Sequence, residues 1–95
     1  YVAAKHGVVG LTKNAGIEYG KTGVRVNAVG PAFIETPLVK DSLSEEAYNS
    51  LAEMHPMGRL GRPHEVAELF LWLASDKASF ATGAYYPLDG GYLAK

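Results

Sequence analysis

Cysteine is absent, so neither disulfides nor thiolate chemistry can hold or run this protein, and a reducing cytoplasm is the compartment the composition suggests. Neither sign of charge is in excess: nine Lys and Arg against ten Asp and Glu leave a formal net charge of −1. Such a balance offers no diffuse positive field for phosphate backbones or anionic lipid, and nucleic acid and membrane are not expected partners. Long hydrophobic runs are missing as well. The longest, Leu69 to Ala74 (LFLWLA), is about a third of the roughly 18 to 20 residues a spanning helix needs. No charged-then-apolar leader opens the chain. The three His have no metal-ligand spacing, and no metal site is expected.

What is present is enough for a core, with 47% hydrophobic residues in a 95-residue chain. A chain this short buries only a little over about 60% of its unfolded surface, which makes independent stability marginal. The first residue is Tyr1 rather than Met. Together these predict a fragment or a processed product, in which residues 1–95 are one incomplete portion of a larger domain.

From Tyr1 to about Gly20 there is no Pro, and Val8, Val9, Leu11, Ala15, Ile17 and Tyr19 fit a broad apolar face at helical spacing. Gly7, Gly10 and Gly16 each cost such a helix about 1 kcal/mol relative to Ala, which predicts a closely packed neighbour. Val24 to Val29 (VRVNAV) reads as a strand buried on both faces of a parallel sheet, ended by Pro31. The stretch from Pro31 to Pro63 reads as a loop, a polar helix over Ser44 to Met54 capped by Ser44, and a second loop. That connection is far longer than the usual 4 to 6 or so residues, as expected of a lid or binding loop. Pro63 suits the first position of a helix running to about Ser75, with Val66, Leu69, Phe70 and Leu73 inward. Leu71 and Trp72 widen its apolar surface and predict self-association. Ala84 to Leu88 (AYYPL) reads as an edge strand, since Pro87 cannot donate to a ladder. The last strand, helix and strand form a β-α-β unit with parallel strands. Two parallel strands cannot cover both faces of a sheet, so further strands are expected before Tyr1.

Tyr1 and Lys5 are one helical turn apart, which puts phenol and ammonium on one face. An ammonium beside a phenol stabilises the phenolate. A tyrosine starting near a pKa of about 10 becomes in this way a general acid or base for an alcohol or ketone. Alone, the spacing favours a solvated surface pair.

The order and spacing of Tyr1-Val-Ala-Ala-Lys5, His6-Gly7-Val8-Val9-Gly10-Leu11-Thr12-Lys13, Gly23-Val24-Arg25-Val26-Asn27-Ala28-Val29, Pro31-Ala-Phe-Ile-Glu-Thr36, Thr82-Gly83 and Asp89-Gly90-Gly91 reverse that preference. They resemble the carboxy-terminal part of a short-chain dehydrogenase/reductase of the classical subgroup, starting at its catalytic tyrosine. The resemblance implies an α/β fold, the carboxy-terminal part of a doubly wound parallel-sheet Rossmann fold. It implies hydride transfer between NAD or NADP and a secondary alcohol or ketone, with Tyr1 as general acid/base and Lys5 lowering its pKa and holding the nicotinamide ribose. Pro31, Ala32, Ile34 and Thr36 match the cofactor-binding loop, Ile34 through its backbone and Thr36 through its hydroxyl. Thr36 read on its own is a helix cap before Pro37. Ala32 departs from the family's usual Gly, which puts cofactor affinity in doubt if the backbone there needs positive φ.

Residues 38–62 become the substrate lid, with Phe33, Leu38, Val39, Leu43 and Met54 as its apolar wall by position alone. Arg59 and Arg62 are the cations near the lid that could bind an anionic substrate. Asn14-Ala15-Gly16 looks like another family motif but falls inside the first predicted helix, where that motif does not belong. The intact enzyme is expected to be a homo-oligomer, a dimer or tetramer, and the isolated fragment inactive. The alternative is a non-catalytic homologue or fragment acting in subunit assembly.

Overall fold

A computed structural model describes residues 1–95. Helix α1 spans Val2–Tyr19, strand β1 Ala28–Pro31, helices α2 and α3 Pro37–Ser42 and Glu45–Glu53, helix α4 Pro63–Ala74 and strand β2 Tyr85–Leu88. Short 3-10 turns follow α1, α4 and β2. The chain forms two compact units, Tyr1–Val29 with Phe70–Tyr86 and Gly30–Leu69 with Pro87–Lys95. No helix is long and apolar enough to cross a membrane.

The first unit is organised by a close approach. A Cβ at Gly16 would stand 2.5 Å from Gly83 Cα and 2.6 Å from Gly83 N, so α1 rests directly on the backbone that leads into β2. The expected close neighbour is therefore real at Gly16. It is not at Gly7 or Gly10, where a Cβ would meet nothing within 4 Å. The inward stripe of α1 is correspondingly small and polar. Thr12 and Gly16 are buried and Val9 is half-buried, whereas Val8, Leu11, Ile17 and Tyr19 of the predicted apolar face are exposed. The Thr12 hydroxyl is satisfied inside the helix, donating to Val8 O at 2.7 Å.

The strand predicted over 24–29 is displaced. Residues 24–27 lie outside the ladder: Gly83 N–H donates to Val26 O at 2.6 Å, but side chains make the other bonds there. Val26 N–H donates to Thr82 Oγ1 at 3.1 Å, Asn27 Nδ2 donates to Ala81 O at 2.8 Å, and Asn27 Oδ1 accepts from Ala84 N–H at 3.2 Å. The Arg25 guanidinium adds bonds to Ser75 O and Ala81 O. Regular pairing starts at Ala28, whose N–H donates to Ala84 O at 2.9 Å. In the second unit Ala32 N–H donates to Leu88 O at 3.2 Å, four residues on in both strands, so the pair is parallel as expected.

In the second unit Ser44 caps α3, its hydroxyl accepting from Ala47 N–H at 3.1 Å. Helix α2 stands where a loop is expected; Thr36 caps it and Pro37 occupies its first position. Helix α4 begins at Pro63 as predicted. Its inward face differs in one residue: Val66 and Leu69 are half-buried and Leu73 buried, while Phe70 is exposed beside Leu71 and Trp72. The core of the second unit is Ala52, His55 and Leu60.

Candidate active site

Tyr1 is the residue before α1 rather than part of it, and its carbonyl accepts the first helical bond from Lys5 N–H at 3.0 Å. That bond fixes the one-turn spacing. The Lys5 ammonium stands over the Tyr1 ring, 5.2 Å from its centroid, a cation-π arrangement that keeps both groups on one side of the helix start. Tyr1 is 91% exposed and its phenol is open to a ligand.

The loop from Pro31 to Thr36 belongs to the second unit. Ile34 pairs with Gly61 in an isolated parallel bridge: Gly61 N–H donates to Phe33 O at 3.0 Å and Glu35 N–H donates to Gly61 O at 2.8 Å. In a parallel bridge the partner bonds to the residues on either side, so the N–H and C=O of Ile34 itself carry no protein partner. Thr36 Oγ1 accepts from Val39 N–H at 3.3 Å, the capping role, which leaves its O–H to donate elsewhere. Ala32 has no positive φ, so the strain that a missing glycine would create does not arise.

The proposed wall residues have distinct surroundings. Phe33 packs edge-on against His55 and Tyr92, with ring centroids 5.9 and 6.4 Å away. Leu38 is 77% exposed on α2, Val39 and Leu43 are half-buried, and Met54 is partly exposed at the end of α3. The aromatic cluster behind Phe33 has no sequence signal beyond the residue types. His55 is buried, with Nδ1 against Leu51 O at 2.8 Å and Nε2 without a partner. The carbonyl can only accept, so Nδ1 carries a proton.

Of Arg59 and Arg62, Arg59 is engaged by Glu65. Its two terminal nitrogens meet the two carboxylate oxygens at 3.0 and 2.7 Å, and Arg62 N–H donates to the same carboxylate at 2.8 Å. The Glu65 carboxyl is lowered to a pKa of about 2, first by the Arg59 hydrogen bonds and then by the Arg62 N–H. Arg59 is a structural partner of α4 rather than a waiting anion receptor; Arg62 remains exposed.

A family model described as enoyl-(acyl carrier protein) reductase matches residues 1–93. Cyclohexanol dehydrogenase of Acinetobacter sp. (strain SE19) is 53% identical over 95 residues, covering 100% of this chain and 36% of that protein. The chain belongs to the short-chain dehydrogenase/reductase family. A second member, cis-4-hydroxycyclohexanecarboxylate dehydrogenase of Sinomonas cyclohexanicum, is 50% identical over 94 residues, covering 99% of this chain and 37% of the relative. A crystal structure of a putative 2-deoxy-D-gluconate 3-dehydrogenase from Agrobacterium tumefaciens with bound NADP superposes at a TM-score of 0.91 with 38% identity, covering 100% of this chain and 39% of that one. The chain thus spans well under half the length of these short-chain dehydrogenases/reductases. Its α/β architecture and parallel strand pair are part of their Rossmann-type fold.

Proposed function

We propose that this chain is the tyrosine-bearing portion of an NAD- or NADP-dependent oxidoreductase that interconverts a secondary alcohol and its ketone. The observation that carries the reading is the Tyr1–Lys5 pair, with the ammonium 5.2 Å from the ring at the start of α1. Bound nicotinamide would take the hydride from the alcohol carbon in oxidation and return it in reduction. Tyr1 accepts the alcohol proton as a phenolate and donates it back as a phenol, and Lys5 stabilises the deprotonated form.

The chain's residues fit such a cofactor. A carboxamide needs one donor for its oxygen and one acceptor for its NH2, and the unengaged N–H and C=O of Ile34 offer both. The Thr36 O–H is a second donor beside them. Pro31 and Ala32 position this loop at the end of β1. Residues 38–62 close over the substrate, and Phe33, Leu38, Val39, Leu43 and Met54 supply apolar contact. Both relatives described above are named for alcohols on a six-membered carbon ring. A cyclohexanol-type alcohol is therefore the substrate class proposed here.

The test is turnover of the full-length enzyme with cyclohexanol and either nucleotide, beside Tyr1→Phe. Tyr1→Phe is expected to lose about 100-fold or more in kcat, with nucleotide binding kept. Equal rates in the two proteins would sink the assignment. A second reading, subunit assembly without catalysis, is favoured by the apolar side chains that α1 and α4 leave exposed, among them Leu11, Ile17, Leu71 and Trp72. It moves ahead if neither protein turns over although both fold and bind nucleotide. In the enzyme reading the same side chains serve a dimer or tetramer.

A further inference from the structure

The long excursion between β1 and α4 returns at Gly61, and both peptide groups that flank this residue are bonded at both ends. In the peptide joining Leu60 to Gly61, the N–H donates to Phe33 O at 3.0 Å and the C=O accepts from Arg59 Nη1 at 3.1 Å. In the peptide joining Gly61 to Arg62, the C=O accepts from Glu35 N–H at 2.8 Å and the N–H donates to Glu65 Oε2 at 2.8 Å. One end of each peptide thus holds the loop that carries Ile34, and the other end meets a charge. The two charges are locked to each other by the paired bonds of 3.0 and 2.7 Å between the Arg59 guanidinium and the Glu65 carboxylate.

The signs are those that strengthen the grip. A cation on a peptide oxygen polarises the unit so that its N–H donates better, and an anion on a peptide N–H makes its oxygen the better acceptor. Capping of α4 accounts for the Arg62 N–H on Glu65, but not for a guanidinium turned onto the carbonyl of Leu60. Arg59 and Glu65 are both half-buried, and their contact is the two-point fork in which Arg–carboxylate pairs are strongest. Gly61 completes the fit. A Cβ there would stand 2.7 Å from Ile34 Cδ1, so the Ile34 side chain lies directly on bare backbone.

We propose that Arg59 and Glu65 are positioning residues for the nicotinamide, acting through the two peptides of Gly61 on the backbone of Ile34. The role rests on the dehydrogenase reading, in which the free N–H and C=O of Ile34 take the carboxamide. Neither side chain touches the cofactor. Loosening the pair lets Ile34 shift, which weakens the hold on the nicotinamide end of the dinucleotide and leaves the adenine end as it was.

The experiment measures the affinity of the full-length enzyme for NADH or NADPH, beside that for ADP-ribose or its 2′-phosphate, which lack the nicotinamide. Arg59→Gln and Glu65→Gln are each expected to weaken binding of the reduced nucleotide about fivefold or more, with the ADP-ribose affinity within about twofold of wild type. The double variant should be no worse than either single one, because the same pair is lost in all three. Amide exchange gives a readout that needs no cofactor: the N–H groups of Gly61 and Glu35 should exchange faster in Arg59→Gln. Equal losses for both ligands would mean a general loosening of the fold and overturn the proposal, as would unchanged affinities. If Arg59→Gln does not fold, Arg59→Lys, which keeps the charge but not the fork, decides by the same ratio. Were the wild type to bind neither ligand, the dehydrogenase reading would fall and the positioning role with it.

Discussion

At the scale of single residues, the same substitution has opposite effects at two glycines of one helix. Gly16→Ala drives a methyl into Gly83 Cα and N at 2.5 and 2.6 Å, and backbone cannot step aside as a flexible side chain can. A loss of about 1 to 3 kcal/mol is expected, read as a lower urea midpoint. Gly7→Ala meets nothing within 4 Å and is expected to gain up to about 1 kcal/mol through helix propensity. Glu65 carries a pH dependence. Its folded pKa of about 2 lies below the ordinary value of 4.5, so the stabilisation is present above pH 4.5 and is lost as pH falls towards 2. Acid titration of stability should show this fall in wild type and a flatter profile over the same window in Glu65→Gln.

At the scale of elements, a cap can be removed without touching the core. Ser44→Ala deletes the acceptor for Ala47 N–H and is expected to cost about 1 kcal/mol, seen as a lower thermal midpoint. Helices that start with a strong local signal were readable in the sequence: Ser44 before two glutamates, Pro63 before an apolar stripe. Helix α2 was not, because Thr36-Pro37 fits equally a cap and an isolated turn, and six residues give periodicity nothing to work on. The strand was misplaced by its own composition. Val24 to Asn27 is β-branched and apolar enough for a ladder, yet beside the one backbone bond to Val26 O the side chains of Asn27 and Thr82 make the bonds there. The large residues of α1 face outward, against the expectation from their spacing, because close approach at Gly16 selects small residues for the inward side. Of the candidate site, Tyr1 and Lys5 were legible as a pair. The cluster of Phe33, His55 and Tyr92 was not, because its rings become neighbours only once the excursion folds back.

At the scale of the whole molecule, the contacts that define the sheet join residues far apart in sequence. Asn27 bonds to Ala81 across 54 positions and to Ala84 across 57. Bonds of such separation form only after a long segment has closed, so they set a folding rate more than a local helix does. Asn27→Ala leaves two backbone partners without their side-chain mate and is expected to cost about 1 to 3 kcal/mol. Stopped-flow refolding should also slow if this clamp forms before the transition state, and only unfolding should accelerate if it forms after.

The excursion between β1 and α4 is pinned where it leaves and where it returns, by the paired bonds of Gly61 to Phe33 and Glu35. Between those points the segment is tied back just past the end of β2, where Met57 N–H donates to Gly90 O at 3.1 Å and the His55 ring meets that of Tyr92. Doubling the length of such a segment adds only about 0.6 kcal/mol of closure entropy. A segment of different length can therefore be grafted between those two points only if it keeps Ala52, His55 and Leu60, the buried residues around which the second unit is built.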